Sequence, residues 1–126
     1  MVGIVIVSHS EKLAESIKEY TGLMAGEAHV AAAGGTDEGG LGTSFQKIYD
    51  AIESVDEDQG VLVLMDMGSA VMTTEMVIEA YGEEKAQMVD CPIVEGAVVA
   101  TISAQAGIPK EEIVESLKEI GKTPKF

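Results

Sequence analysis

Short β-branched runs alternate with stretches of helical spacing along the whole chain, and no other feature limits its fold as much. Gly3 to Ser8 is the first run, and its continuous apolar character suits a strand buried on both faces of a parallel sheet. Leu13, Ile17, Tyr20 and Met24 follow at helical spacing, with Gly26 as a stop. A weaker strand is predicted over Ala28 to Ala33, and Phe45, Ile48, Ile52 and Val55 mark a second helix. Val61 to Met65 is the clearest strand and ends at Asp66. Met72, Met76 and Ala80 define one side of a third helix, and Met88 to Cys91 a short fourth strand. Beyond the break at Pro92, Val94, Val98, Thr101 and Gln105 share a helical face. Pro109 suits the first turn of a fifth helix lined by Ile113, Leu117 and Ile120.

This β-α-β-α-β-α-β-α-α order predicts an α/β fold: one open parallel sheet of about four strands, flanked by helices through right-handed crossovers. The expected strand order is 2-1-3-4. Residues 1–126 read as one domain, with no internal repeat, linker or low-complexity tract. Apolar residues make up 46%, enough for a real core.

Charge and cysteine usage narrow the function. The chain carries 22 acidic and 8 basic residues, a net charge of −14. Such a surface repels phosphate backbones and anionic lipids, so neither nucleic acid nor a membrane is expected as a partner, whereas basic protein surfaces are favoured. The single Cys91 cannot form an internal disulfide and points to a reducing compartment. Cys91, His9 and His29 are the only soft ligands, so no metal site is expected. No apolar run is long enough to cross a bilayer, and the amino terminus lacks a basic signal-peptide start, so a cytoplasmic location is expected.

In open α/β sheets, sites form beyond the carboxyl ends of the strands where the strand order reverses. With order 2-1-3-4, that point lies between strands 1 and 3. Strand 1 delivers His9 to this edge and strand 3 delivers Asp66, so two residues far apart in sequence should meet. The loop Gly34 to Thr43, which holds five glycines, should lie over the same crevice. A neutral imidazole can attack phosphorus through its lone-pair nitrogen, while a carboxylate on the other nitrogen fixes the tautomer. His9 can also be a bystander, and Asp66 can simply cap a turn. His29, at the opposite end of strand 2, reads as structural. Gly42-Thr43 and Gly68-Ser69 each precede a helix, where backbone N–H groups bind anions and the hydroxyls act as further donors or as caps. There is no P-loop and no Gly-rich dinucleotide fingerprint after strand 1, so the chain does not read as a self-sufficient nucleotide kinase. Met65, Met67, Met72 and Met76 read chiefly as core filler, with Met67 the one placed to touch a docking protein.

The segments Val5-Ile6-Val7-Ser8-His9-Ser10, Met65-Asp66-Met67-Gly68-Ser69-Ala70 and Val94-Glu95-Gly96 resemble the phosphotransferase subunits of bacterial dihydroxyacetone kinases that draw on the phosphotransferase system. These are relatives of the mannose-class enzyme IIA domains, and the resemblance covers essentially the whole chain. It implies that His9 receives a phosphoryl group from the carrier protein HPr on Nε2, with Asp66 beside it. The group then passes to ADP on an ADP-binding partner subunit, and the ATP formed there phosphorylates dihydroxyacetone held by a third subunit. No cofactor is implied on this chain; ADP and magnesium are expected on the partner. The resemblance also implies a homodimer.

Three other readings compete. A sugar-class enzyme IIA shares the fold but usually has a longer turn after the third strand. A receiver domain phosphorylated on Asp66 would need acids after strand 1, where Ser8 and His9 stand, and a lysine after a fifth strand. A flavin or small-anion binder is disfavoured by Glu11 at the first helix start.

Overall fold

The computed structural model describes residues Met1–Phe126. The elements are β1 (Gly3–Ser8), α1 (Glu11–Gly22), β2 (Val30–Gly34), α2 (Phe45–Val55), β3 (Val61–Met65), α3 (Val71–Tyr81), β4 (Ala86–Met88), α4 (Ile93–Gln105) and α5 (Lys110–Ile120). A 3-10 turn over Gly68–Ala70 leads into α3. The four strands form one parallel sheet in the order β2-β1-β3-β4, as the alternation predicts.

The strands separate two cores by the alternation of their side chains. Ile4, Ile6, Leu62 and Leu64 face α1, α4 and α5, packing on Ile17, Ala97, Ala100, Ile113 and Leu117. Val5, Val7, Val61 and Val63 face α2 and α3, packing on Ile48, Ile52, Val55 and Val77. All eight strand residues are fully buried. Each face therefore needs its helices, and the continuous apolar runs of β1 and β3 follow directly from two-sided burial.

Several boundaries and faces differ from the sequence reading. β2 is Val30–Gly34 rather than Ala28 to Ala33, because Ala28 is still in a turn, its N–H bonded to the Ala25 carbonyl. β4 is Ala86–Met88 rather than Met88 to Cys91; Val89 still donates to the Val63 carbonyl, but the chain then turns towards Pro92. Pro109 is the cap preceding α5 rather than a residue of its first turn. On α1, Ala14, Ile17 and Thr21 are buried, while Leu13 and Tyr20 are exposed, as is Met24 beyond the helix end. On α3 the buried residues are Thr74, Val77 and Ile78, not Met72, Met76 and Ala80. On α4 a strip of small residues (Gly96, Ala97, Ala100, Thr101, Ala104) faces inward, and of the predicted face only Thr101 is fully buried. Of the four methionines read as core filler, Met65 packs against the core, whereas Met67, Met72 and Met76 are 58%, 76% and 54% exposed. No helix is long and apolar enough to cross a membrane.

Candidate active site

The β1–β3 pairing runs from Gly3↔Val61 to Val7↔Met65, and the Asp66 N–H extends it to the Val7 carbonyl at 3.3 Å. This register brings the residues just after the two strands side by side. His9 and Asp66, 57 positions apart in sequence, meet there: His9 Nδ1 lies 3.2 Å from Asp66 Oδ1. A carboxylate can only accept, so the ring proton sits on Nδ1 and the lone pair is on Nε2. Nε2 lies 2.9 Å from the Ser69 hydroxyl, which then donates to it. The ring thus has one nitrogen held inward and one turned to the crevice mouth, with about a quarter of the side chain accessible (25%).

Asp66 is itself held. Its Oδ2 accepts from the Ser8 hydroxyl at 2.8 Å and from the His9 backbone N–H at 3.2 Å. Ser8 Oγ in turn accepts from the Ser10 N–H at 3.0 Å, and Ser10 Oγ caps α1 by accepting from the Leu13 N–H at 3.2 Å. Burial pushes the Asp66 carboxyl up, but the bonds from the Ser8 hydroxyl, the His9 ring and the His9 amide outweigh it and hold the group below the usual carboxylate range. Asp66 is therefore ionised at neutral pH and fixes the ring by charge as well as by geometry.

The Gly34–Thr43 loop closes over this edge as expected. The Gly35 N–H donates to the Ser8 carbonyl at 3.1 Å, and the Gly42 N–H donates to the His9 carbonyl at 2.9 Å. Gly35 and Gly42 have φ of 73° and 141°, a region in which a side chain is strained. The Gly42 N–H is consequently spent on holding His9 and is not a free anion donor. Thr43 does not cap α2: its hydroxyl pairs with that of Thr73 at 3.1 Å, and Ser44 is the cap, accepting from the Lys47 N–H at 3.1 Å. Ser69 is likewise no cap, because its hydroxyl reaches His9 instead. The Gly68-Ser69 turn thus comes to the imidazole, while Gly42-Thr43 braces the loop around it.

Sequence reasoning passed over Ser8, Ser10 and Thr73. Two serines flanking a histidine at a strand end were the available signal for the first two. Thr73 had none, because its partner lies 30 positions away. His29 stands at the opposite end of the sheet, 3.0 Å from Glu57, and plays no part in the site. Beyond Asp66, a cavity of about 390 Å³ opens at the ends of β3 and β4, lined by Met65, Met67, Val71, Met88 and Cys91 among others. Burial, with Asp90 nearby, pushes the Cys91 thiol up to about 11, so it is no nucleophile at neutral pH. No group of His, Cys, Asp and Glu residues is arranged to hold a metal.

Known proteins share this arrangement of chain and fold. Residues 3–117 match the EIIA-man family model, described as the fructose IIA component of the phosphotransferase system. A protein of Listeria innocua named "PEP-dependent dihydroxyacetone kinase 2, phosphoryl donor subunit DhaM" is 34% identical over 95% of this chain and 99% of its own length. The Escherichia coli DhaM subunit is 39% identical over 90% of this chain, which spans about a quarter (26%) of that longer relative. A crystal structure of a protein of unknown function superposes with a TM-score of 0.86 at 32% identity, covering 99% of this chain and 98% of the other. Both the family match over nearly the whole chain and the full-length likeness to a DhaM subunit lead to one conclusion: the chain belongs to the EIIA-man family, in its DhaM branch.

Proposed function

We propose that this chain is the phosphoryl donor subunit of a phosphoenolpyruvate-dependent dihydroxyacetone kinase and works through a phosphohistidine at His9. The observation that carries the reading is the oriented ring, with Nδ1–H held by an ionised Asp66 and Nε2 facing the crevice mouth. In the first transfer, the Nε2 lone pair attacks the phosphorus carried by HPr. The new N–P bond forms as the bond to the donor histidine breaks, and the leaving imidazole keeps the electron pair. His9 becomes cationic, and Asp66 stabilises that charge through Nδ1–H. The Ser69 hydroxyl releases Nε2 and turns to a phosphoryl oxygen. The second transfer reverses the roles: a terminal oxygen of ADP, bound with magnesium on the partner subunit, attacks the phosphorus and the N–P bond breaks.

Relatives named as DhaM support this branch over a sugar-class enzyme IIA. Intact-mass measurement after incubation with phosphoenolpyruvate, enzyme I and HPr tests the first half. One added phosphate is expected, and none in His9→Ala. Adding the ADP-binding subunit and ADP should discharge the adduct and yield ATP; an adduct that this subunit and ADP leave in place but that a sugar transporter component discharges would move the protein to the sugar class.

A further inference from the structure

The Ser69 hydroxyl, the His9 ring and the Asp66 carboxylate form one unbroken line of hydrogen bonds. Ser69 Oγ lies 2.9 Å from His9 Nε2, and His9 Nδ1 lies 3.2 Å from Asp66 Oδ1. The acid is fixed in turn, because its other oxygen accepts from the Ser8 hydroxyl and the His9 N–H. Phosphoryl transfer through His9 leaves Ser69 chemically unchanged. Yet hydroxyl, base and acid in this order, each within hydrogen-bond reach of the next, are the parts of an activated serine nucleophile.

Exposure is graded along the line. The Asp66 side chain is 14% accessible and that of His9 25%, while Ser69 is exposed. The base is thus shielded and the nucleophile open. The N–H of Ser69 stands ahead of the first bond of the 3-10 turn, which joins the Ala70 N–H to the Met67 carbonyl, so it is available to charge developing on an attacked carbonyl oxygen. Gly68, the residue before Ser69, lines the cavity of about 390 Å³ at the ends of β3 and β4 together with Met65, Met67 and Val71. That lining suits a short apolar acyl chain. Asp66 and Asp90, which also line it, disfavour an anionic one.

We infer that Ser69 is a second reactive centre: in the unphosphorylated protein it takes the acyl group of small, neutral, activated esters, with His9 as general base. The Oγ–H proton passes to His9 Nε2 as Oγ attacks the ester carbonyl carbon. The tetrahedral intermediate collapses by breaking the bond to the alcohol oxygen, and the leaving oxygen takes the proton back from Nε2. Water, deprotonated by the same nitrogen, then attacks the acyl-serine; the carboxylic acid leaves and Ser69 recovers its proton. Asp66 stays ionised and stabilises the imidazolium through Nδ1–H. The reaction uses the lone pair that a phosphoryl group would occupy, so the two chemistries exclude each other at His9.

p-Nitrophenyl acetate and an alkyl fluorophosphonate are the probes. The wild-type protein should release nitrophenolate, and the fluorophosphonate should lose fluoride and leave one phosphonyl group per chain, mapped to Ser69 by peptide mass. Ser69→Ala, an exposed change whose fold circular dichroism checks, should lower the esterase rate at least about tenfold and take no label. Imidazole can also cleave this ester directly, and the serine variant separates the two nucleophiles. An esterase rate kept or raised in Ser69→Ala would mean that the freed ring attacks by itself. An unlabelled Ser69 in the wild type would mean that the hydroxyl is not activated. Either result overturns the inference and leaves the phosphohistidine reading standing. Ester cleavage and labelling at Ser69 in a protein that takes no phosphate from HPr would instead remove the proposed function and uphold the inference.

Discussion

At the scale of single residues, the site depends on one carboxylate with three donors. Asp66 accepts from a hydroxyl, a backbone amide and the imidazole at once, so replacing it disturbs both the tautomer and the charge of His9. Asp66→Asn should slow phosphoryl transfer about 10- to 100-fold with the fold intact, as read by rapid-quench labelling. An unchanged rate would reduce Asp66 to a turn residue. The same group predicts a pH effect. Its native pKa lies below the unfolded value, so its stabilising contribution is complete above the ordinary carboxylate range and is lost as pH falls through the native value. Asp66→Asn should therefore lose less stability than the wild type between neutral pH and about pH 2, measured as the urea midpoint. A steeper acid limb in the variant would contradict the sign. At this scale His9 and Asp66 were legible in the sequence, because each ends an apolar run that could only be a buried strand. Ser69 was legible as a turn residue near the site but not as the partner of Nε2, since that contact depends on how the 3-10 turn leaves β3.

Among the elements, the junction of β2 with the start of α1 is the tightest point near the site. A Cβ on Gly34 would lie 2.5 Å from the Ser10 carbonyl oxygen and 2.7 Å from the Glu11 Cα, both backbone atoms that cannot turn aside. Gly34→Ala should cost about 1–3 kcal/mol in urea denaturation and should slow labelling of His9, because Ser10 and Glu11 follow it directly. An unchanged midpoint would mean that this junction gives way easily. The helices also show where sequence reading fails. Periodicity is judged by the large apolar side chains, and on α1, α3 and α4 several of these, Leu13, Met72, Met76 and Val94, are exposed. Ala14, Ala97, Ala100 and Ala104 are fully buried because a short side chain lets a helix approach the strands closely. Long residues such as Leu13, Met72 and Ile102 are pushed to the flanks. β1 and β3 were read with their observed limits because two-sided burial removes polar residues from the whole run. The short edge strand β4 has no such pattern, and it lies two residues earlier at its start and three at its end than the sequence predicts.

At the scale of the whole molecule, the parallel sheet in order 2-1-3-4 follows from the alternation of elements, and the position of the site follows from that order. The net charge of −14 has opposite consequences for folding and for recognition. Self-repulsion destabilises the compact state, so the melting temperature should rise as sodium chloride is added from low ionic strength to physiological levels. A scanning calorimetry series would check it, and a falling temperature would show that attractive pairs such as Lys125–Glu95 outweigh the repulsion. Encounter with a basic partner should weaken over the same range of salt.

The Gly42–His9 hydrogen bond separates two kinds of change that this fold can accept. The imidazole and its carboxylate stand at the ends of the two innermost strands, whereas the flanking apolar side chains stand on a loop and a helix start that are tethered to them only by main chain and hydroxyls. Substituting Leu41 or Met72 would leave the tethers in place. Main chain and hydroxyls thus set where His9 Nε2 stands, whichever apolar side chain occupies those two positions.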